Sequence, residues 1–274
     1  MSSVHEEAPV GTGSTFSRRL GLLVAVGLVA VFVLGIFLTE PDQRINPDTG
    51  EIIGQFDAVR LLYVHVPTIL MAYLAFIVTA VGSFMYLRKK SMAWDILAYS
   101  AAEVGVVFTF LGLLTGSIWG RPIWNTWWQW GDVRIMTTLV MFLMYIGYLA
   151  LRSVEAADPG IQARRAAIVG LIGVLNIPIV NRSVEWWPNR TIHQRSTFLE
   201  DRFDGLTFFT LMLALLVFAG LFSWLMMHRF RLGWLQHQRD TEGLDVAISA
   251  RRAEAEGQFA TVAVDGSVID GSES

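Results

Sequence analysis

The sequence predicts an all-α, polytopic membrane protein with six transmembrane helices. Three observations carry that prediction. Hydrophobic residues make up 53% of the 274, and mean hydropathy is +0.47. Several apolar runs reach the roughly 20 residues needed to cross a hydrocarbon core. The connections between those runs are short, which leaves no room for a separate soluble domain.

The runs fall at 20–38, 61–87, 96–118, 133–151, 166–180 and 206–227. Arg18 and Arg19 precede the first, as in a signal peptide, but Thr39-Glu-Pro-Asp follows it instead of a small-residue cleavage site. A retained helix is therefore expected. The second opens on Leu61-Leu-Tyr-Val-His-Val-Pro67, with proline placed where a helix start tolerates it. The third carries Glu103, an intramembrane carboxylate whose partner the sequence does not name. The fifth is the shortest, and Asn176 and Pro178 predict a kink in it that neighbouring helices can accommodate. The six runs make one domain, 20–228. Residues 1–19 form a polar N-terminal segment. Residues 229–274 read as a cytoplasmic tail, disordered or weakly helical, because its distal part is rich in Ala, Gly, Ser and acidic residues.

Lysine and arginine near the span ends set orientation. One set of connections holds Arg18, Arg19, Arg88, Lys89, Lys90, Arg152, Arg164, Arg165, Arg229 and Arg231. The other holds Arg44, Arg60, Arg121, Arg134, Arg182, Arg190, Arg195 and Arg202. The first is denser per residue of loop, which places it and both termini in the cytoplasm. The loops at 39–60, 119–132 and 181–205 then share the outer face. The basic character of the third outer loop fits a demand for an acidic ligand.

The middle outer loop is Trp119-Gly-Arg-Pro-Ile-Trp-Asn-Thr-Trp-Trp-Gln-Trp-Gly-Asp-Val-Arg134. It carries Trp119, Trp124, Trp127, Trp128 and Trp130. An interfacial aromatic belt accounts for one or two tryptophans at a helix end. Five in one short loop suit a flat aromatic ligand better, since each ring wants an apolar partner and each indole N–H an acceptor.

Of five histidines, His5 lies in the N-terminal segment, and His228 and His237 lie among arginines past the last span. His65 and His193 fall on the same face as the tryptophans. Imidazole serves iron, copper and zinc. Zinc asks for further nitrogen or carboxylate ligands, and the outer loops offer no third histidine. Haem needs at most two axial ligands, an apolar cradle and cations for its propionates. Arg121, Arg134, Arg190 and Arg195 are candidate propionate partners, because the guanidinium fork matches a carboxylate. Asp132, near Arg134, is a candidate for orienting the loop. The absence of cysteine excludes disulfides and thiol redox chemistry. No Gly-rich phosphate loop, nucleophile elbow or HExxH competes, so a non-enzymatic protein is expected, with no nucleic-acid partner. Two other classes remain open at this point. A b-type cytochrome subunit would want histidine pairs facing one another deep in the bundle. A secondary transporter would want a midplane site with broken helices and internal repeats.

At these residues the chain resembles the haem-handling membrane proteins of bacterial cytochrome c maturation, and most closely the haem exporter protein C (CcmC) family. The resemblance runs from about Arg60 to Trp224. It rests on Tyr63-Val-His-Val-Pro67, Thr115-Gly-Ser-Ile-Trp-Gly-Arg-Pro-Ile-Trp124, Thr126-Trp-Trp-Gln-Trp130, Asp132-Val-Arg134, and Ser183-Val-Glu-Trp-Trp187 with His193-Gln194. It implies haem b held at the outer face of the bacterial inner membrane by His65 and His193 against the tryptophan loop. It implies delivery to a CcmE-like haem chaperone, beside CcmA/CcmB-like ABC transporter subunits and a small CcmD-like single-span protein. The chain departs from the family pattern at one point: Gly131 separates Trp130 from Asp132, where the family has Trp followed directly by Asp.

Overall fold

The computed structural model describes residues 14–46, 48–51, 54–154, 158–193 and 205–269, with side chains throughout except at 244–247 and 250–269. The architecture is all-α. Its helices are α1 (Thr15–Val33), α2 (Leu62–Lys89), α3 (Met92–Trp124), α4 (Val133–Ser153), α5 (Pro159–Val174), α6 (Asn176–Trp186) and α7 (Gly205–Ile269). Among the described residues, six helical stretches are long and apolar enough to cross a membrane. They coincide with the six runs read from the sequence, α5 and α6 together making the fifth.

Local chemistry explains where these helices start and stop. Ser14 caps α1 by accepting from the Ser17 N–H. Asp158 caps α5, with Pro159 in the first turn, where a missing N–H costs nothing. Lys90 and Asn125 end α2 and α3 in the left-handed conformation, at φ 54° and 55°. The fifth span breaks at Leu175, just before the expected Asn176 and Pro178. The Asn176 side chain donates to the Thr137 carbonyl at 2.7 Å and so ties the break to α4. Pro67 sits in the second turn of α2 rather than at its start, since α2 begins at Leu62, directly after a 3-10 turn at Asp57–Leu61.

α2 and α3 form the central hairpin. Small residues let them approach: a Cβ on Gly105 would lie 2.5 Å from the Phe76 ring. Phe76 is fully buried and stacks on Tyr145 of α4 at 3.6 Å, and Tyr145 donates to the Gly170 carbonyl of α5 at 3.2 Å. At the end of the bundle where α3 begins, charges pair with each other. Asp95 meets Arg152 of α4 at 2.6 Å. Arg229 of α7 supplies the partner for Glu103, donating to it at 2.8 Å. Tyr99, one turn from each carboxylate, lies under both guanidinium groups at 5.4 and 5.5 Å.

The chain divides into two compact units, 1–230 and 231–274. The second is helical as far as Ile269, in a segment rich in the helix formers Ala, Glu and Arg. Within it Arg239 pairs with Asp240 at 2.9 Å. Residues 1–13, most of the predicted N-terminal segment, lie outside the described residues.

Candidate functional site

Side chains from all three expected outer loops converge on one cavity of about 250 Å³. The first loop contributes Asp42, Arg44 and Gln55, the second Trp124, Thr126, Trp127, Trp128 and Gln129, and the third Asn181, Ile192 and His193. Its inner wall is apolar, with Leu62, Val66, Ile69 and Leu70 from α2 and Leu113 from α3. Both histidines line it.

His65 belongs to a helix. Its Nδ1 lies 3.1 Å from the Thr115 hydroxyl, and its ring meets Trp119 edge-on at 5.6 Å. Gly116 makes room for it, since a Cβ there would stand 2.9 Å from His65 Cε1. Gly112, Gly116 and Gly120 repeat every four residues along one face of α3, and all three line the cavity. Trp119 is fixed from the other side, donating to Gln55 Oε1 at 3.0 Å.

His193 belongs to an extended segment and is held by Asp132. The Asp132 carboxylate is fully buried. Its Oδ1 accepts the Ile135 N–H at 2.8 Å, which starts α4. Its Oδ2 accepts the Ile192 N–H at 2.7 Å and the Thr191 hydroxyl at 2.9 Å. His193 Nδ1 lies 3.6 Å from the same oxygen, an ion-pair distance too long for a hydrogen bond. Burial alone would raise the Asp132 pKa. The adjacent His193 and the Ile135 and Ile192 N–H groups outweigh burial and hold the carboxyl well below the usual range. The Trp124 ring packs on the His193 ring at 4.8 Å.

The tryptophans differ from one another in setting. Trp119 and Trp124 lie on the last turns of α3, which runs past the end of the apolar stretch, so they are not loop residues as expected. Trp127 and Trp130 are exposed, at 59% and 72%. Trp128 lines the cavity, and its indole N–H is buried with no hydrogen-bond partner among the described residues. Gly131 is taken up by a turn in which the Asp132 N–H donates to the Gln129 carbonyl at 3.1 Å, so the extra residue leaves Asp132 at the helix cap.

A profile of the family described as "Heme exporter protein C" (CcmC) matches residues 11–245. The chain belongs to this family. It is 37% identical over 177 residues to heme exporter protein C of Bradyrhizobium diazoefficiens, covering 64% of this chain and 63% of that one. It is 39% identical over 150 residues to the Escherichia coli K12 protein of the same name, covering 55% and 60%. It is 37% identical over 190 residues to the Haemophilus influenzae protein of that name, covering 66% and 74%. The chain thus spans less than two thirds of the length of the first two relatives.

Within this family frame, the four expected arginines separate. Arg134 lines the cavity and donates to the Asn181 carbonyl at 3.0 Å. Arg121 is exposed and turns back on its own helix end, donating to the Asn125 carbonyl at 2.9 Å. Arg190 is exposed in a 3-10 turn, away from the lining. Arg195 lies outside the described residues. Sequence reasoning passed over Gln55, Thr115 and Arg44. It also passed over the four-residue glycine spacing of α3, the one signal among these that pattern reading could have caught.

Proposed function

We propose that the cavity binds haem at the outer face of the cytoplasmic membrane, with His65 and His193 as axial ligands, and that the protein passes this haem to a membrane-tethered chaperone during cytochrome c maturation. One observation carries the reading. Two imidazoles line one apolar cavity, each has Nδ1 beside an oxygen, and Nε2 of each meets no hydrogen-bond partner among the described residues. Metal-ligating histidines usually give the second nitrogen to a carboxylate or other oxygen; Thr115 stands in that position for His65, and Asp132 lies near His193 Nδ1 but beyond hydrogen-bond distance. Haem asks the protein for no more than two axial ligands, a number that two histidines supply.

The remaining groups fit haem as cargo. Arg134 offers charge to a propionate. The Trp128 N–H is a buried donor in want of an acceptor, and leaving such a donor unpaired is costly. At about 250 Å³ the cavity is small for a tetrapyrrole, which supports a reading in which part of the haem stays outside it. An edge left outside, beside the exposed Trp127 and Trp130, is what a chaperone needs in order to take haem. The positive-inside count supports an outer-face site and cytoplasmic termini. The name of the relatives, heme exporter protein C, supports haem handling, and the family resemblance supports work beside an ABC transporter pair and a small single-span protein. The protein performs no covalent chemistry of its own in this reading.

Visible spectra of the detergent-purified protein, oxidised and reduced, test the proposal. The wild type is expected to show six-coordinate haem, and His65→Ala and His193→Ala are each expected to lose or shift it. Unchanged spectra in both variants would sink the axial assignment.

A further inference from the structure

The first outer loop contributes a wall of the cavity that neither histidine nor tryptophan explains. Its stem is well built. Asp42 and Phe56 exchange backbone hydrogen bonds at 3.2 and 2.9 Å, and the Gly54 N–H donates to the Arg44 carbonyl at 3.1 Å. The two backbone segments lie so close that a Cβ on Gly54 would come within 2.1 Å of the Asp42 carbonyl oxygen. Phe56 is held at φ 47°, a conformation costly for any residue but glycine, which persists only where the surroundings over-determine it. Gln55, between Gly54 and Phe56, grips Trp119 and so joins this stem to the His65 side of the cavity.

Asp42 and Arg44 both line the cavity and are paired edge to edge. Arg44 Nε donates to Oδ1 and Nη2 to Oδ2, both at 2.7 Å. Asp42 Oδ2 also accepts the Gln55 N–H at 3.0 Å. The two side chains are unequally committed. Asp42 is 10% exposed and spent on three donors besides the Arg44 N–H, which reaches it at 3.4 Å. Arg44 is 44% exposed. A guanidinium carries five donors in a fixed fork. Two are engaged by Asp42, and the edge built on Nη1 and the second Nη2 hydrogen meets no partner among the described residues.

We infer that Arg44 is a carboxylate-binding residue at the rim of the haem cavity, oriented by Asp42, and that it selects ligands carrying a free acid group. This rests on the haem reading above, because haem brings two carboxylates to the site. Asp42 is a positioning residue: it fixes one edge of the guanidinium so that the other faces a ligand without further loss of side-chain freedom. A long, flexible arginine loses less entropy on binding when its fork is already aligned. The Arg44 hydrogen bonds hold the Asp42 carboxyl below its ordinary pKa, so the pair persists through the physiological range.

The test compares haem with haem dimethyl ester, whose carboxylates are blocked, by spectral titration of the full-length wild type and Arg44→Gln. The wild type is expected to prefer the diacid, and Arg44→Gln to weaken the diacid about ten-fold, a typical loss for one charge-assisted contact. Ester binding should be unchanged in the variant. Arg44→Lys, which keeps charge without the fork, should recover part of the loss, and Asp42→Asn should weaken the diacid alone. Equal weakening of both porphyrins in Arg44→Gln would overturn the inference and leave Asp42–Arg44 as a loop staple. Failure of the wild type to bind either porphyrin would overturn the haem reading, and this inference with it.

Discussion

The two histidines of the cavity are held in opposite ways. His65 stands on α2, with Thr115 at its nitrogen, Trp119 at its edge and Gly116 vacating the space beside it. Its position is set by helix packing. His193 stands on an extended segment that a single buried carboxylate attaches to α4. Among the described residues its position is set by the polar contacts of Asp132 and by the Trp124 ring packed against its own. A ligand held between them has one rigid anchor and one whose loss costs a few hydrogen bonds. Under the haem reading proposed above, that asymmetry would suit hand-over, since one of the two proposed histidine contacts could open while the other held. A resident electron-transfer haem would gain nothing from it.

The sharpest way to break the comparison is Asp132→Ala. It leaves the half-buried Ile135 and Ile192 N–H groups and the Thr191 hydroxyl without their acceptor, at a cost of about 3 kcal/mol in stability. Thermal unfolding in detergent should show a large fall in midpoint, and the haem spectrum should resemble that of His193→Ala. Asp132→Asn keeps an acceptor oxygen and should lie between. A spectrum like that of His65→Ala would mean that Asp132 does not serve His193 selectively.

The helix-borne side breaks by crowding rather than by lost hydrogen bonds. Gly116→Ala puts a methyl 2.9 Å from His65 Cε1, and the ring must shift or the helices part. Overpacking of this sort costs about 1–3 kcal/mol. Haem affinity should fall while the unfolding midpoint moves less than in Asp132→Ala. Thr115→Val should act more mildly, loosening His65 by removing the hydroxyl beside its Nδ1 and weakening haem about ten-fold, as loss of a group that orients a ligating histidine does. Titration with haem orders the three variants. A Thr115→Val effect exceeding that of Gly116→Ala would show that the hydroxyl, not the glycine gap, fixes the ring.

The fold was largely legible because a bilayer leaves few options: six apolar runs of sufficient length become six spans. The family and both histidines were legible from ordered motifs. What escaped was long-range pairing. Glu103 was visibly out of place in an apolar run, but its partner Arg229 stands 126 positions later and no local pattern joins them. Arg121 and Arg134 looked equivalent as loop cations, yet Arg121 is spent on its own helix end while Arg134 faces the cavity. Trp119 and Trp124 read as loop because hydropathy falls at Ile118, whereas the α3 hydrogen bonds continue to a left-handed stop at Asn125. Hydropathy reports where the membrane ends, and backbone geometry decides where the helix does.

The smallest expected effect is that of pH on the Asp132 clasp, and its sign follows from linkage. The Asp132 carboxyl titrates well below its ordinary value in the folded protein. Its contribution is therefore present in full above the unfolded carboxylate value and is lost only as pH falls through the depressed folded value. The difference in unfolding midpoint between wild type and Asp132→Asn should stay level from about pH 8 to about pH 5 and narrow only in stronger acid. A gap that closed between pH 7 and 5 would place the clasp under the control of a group other than this carboxyl. A level gap would mean that the α4 attachment of His193 stays intact throughout this range.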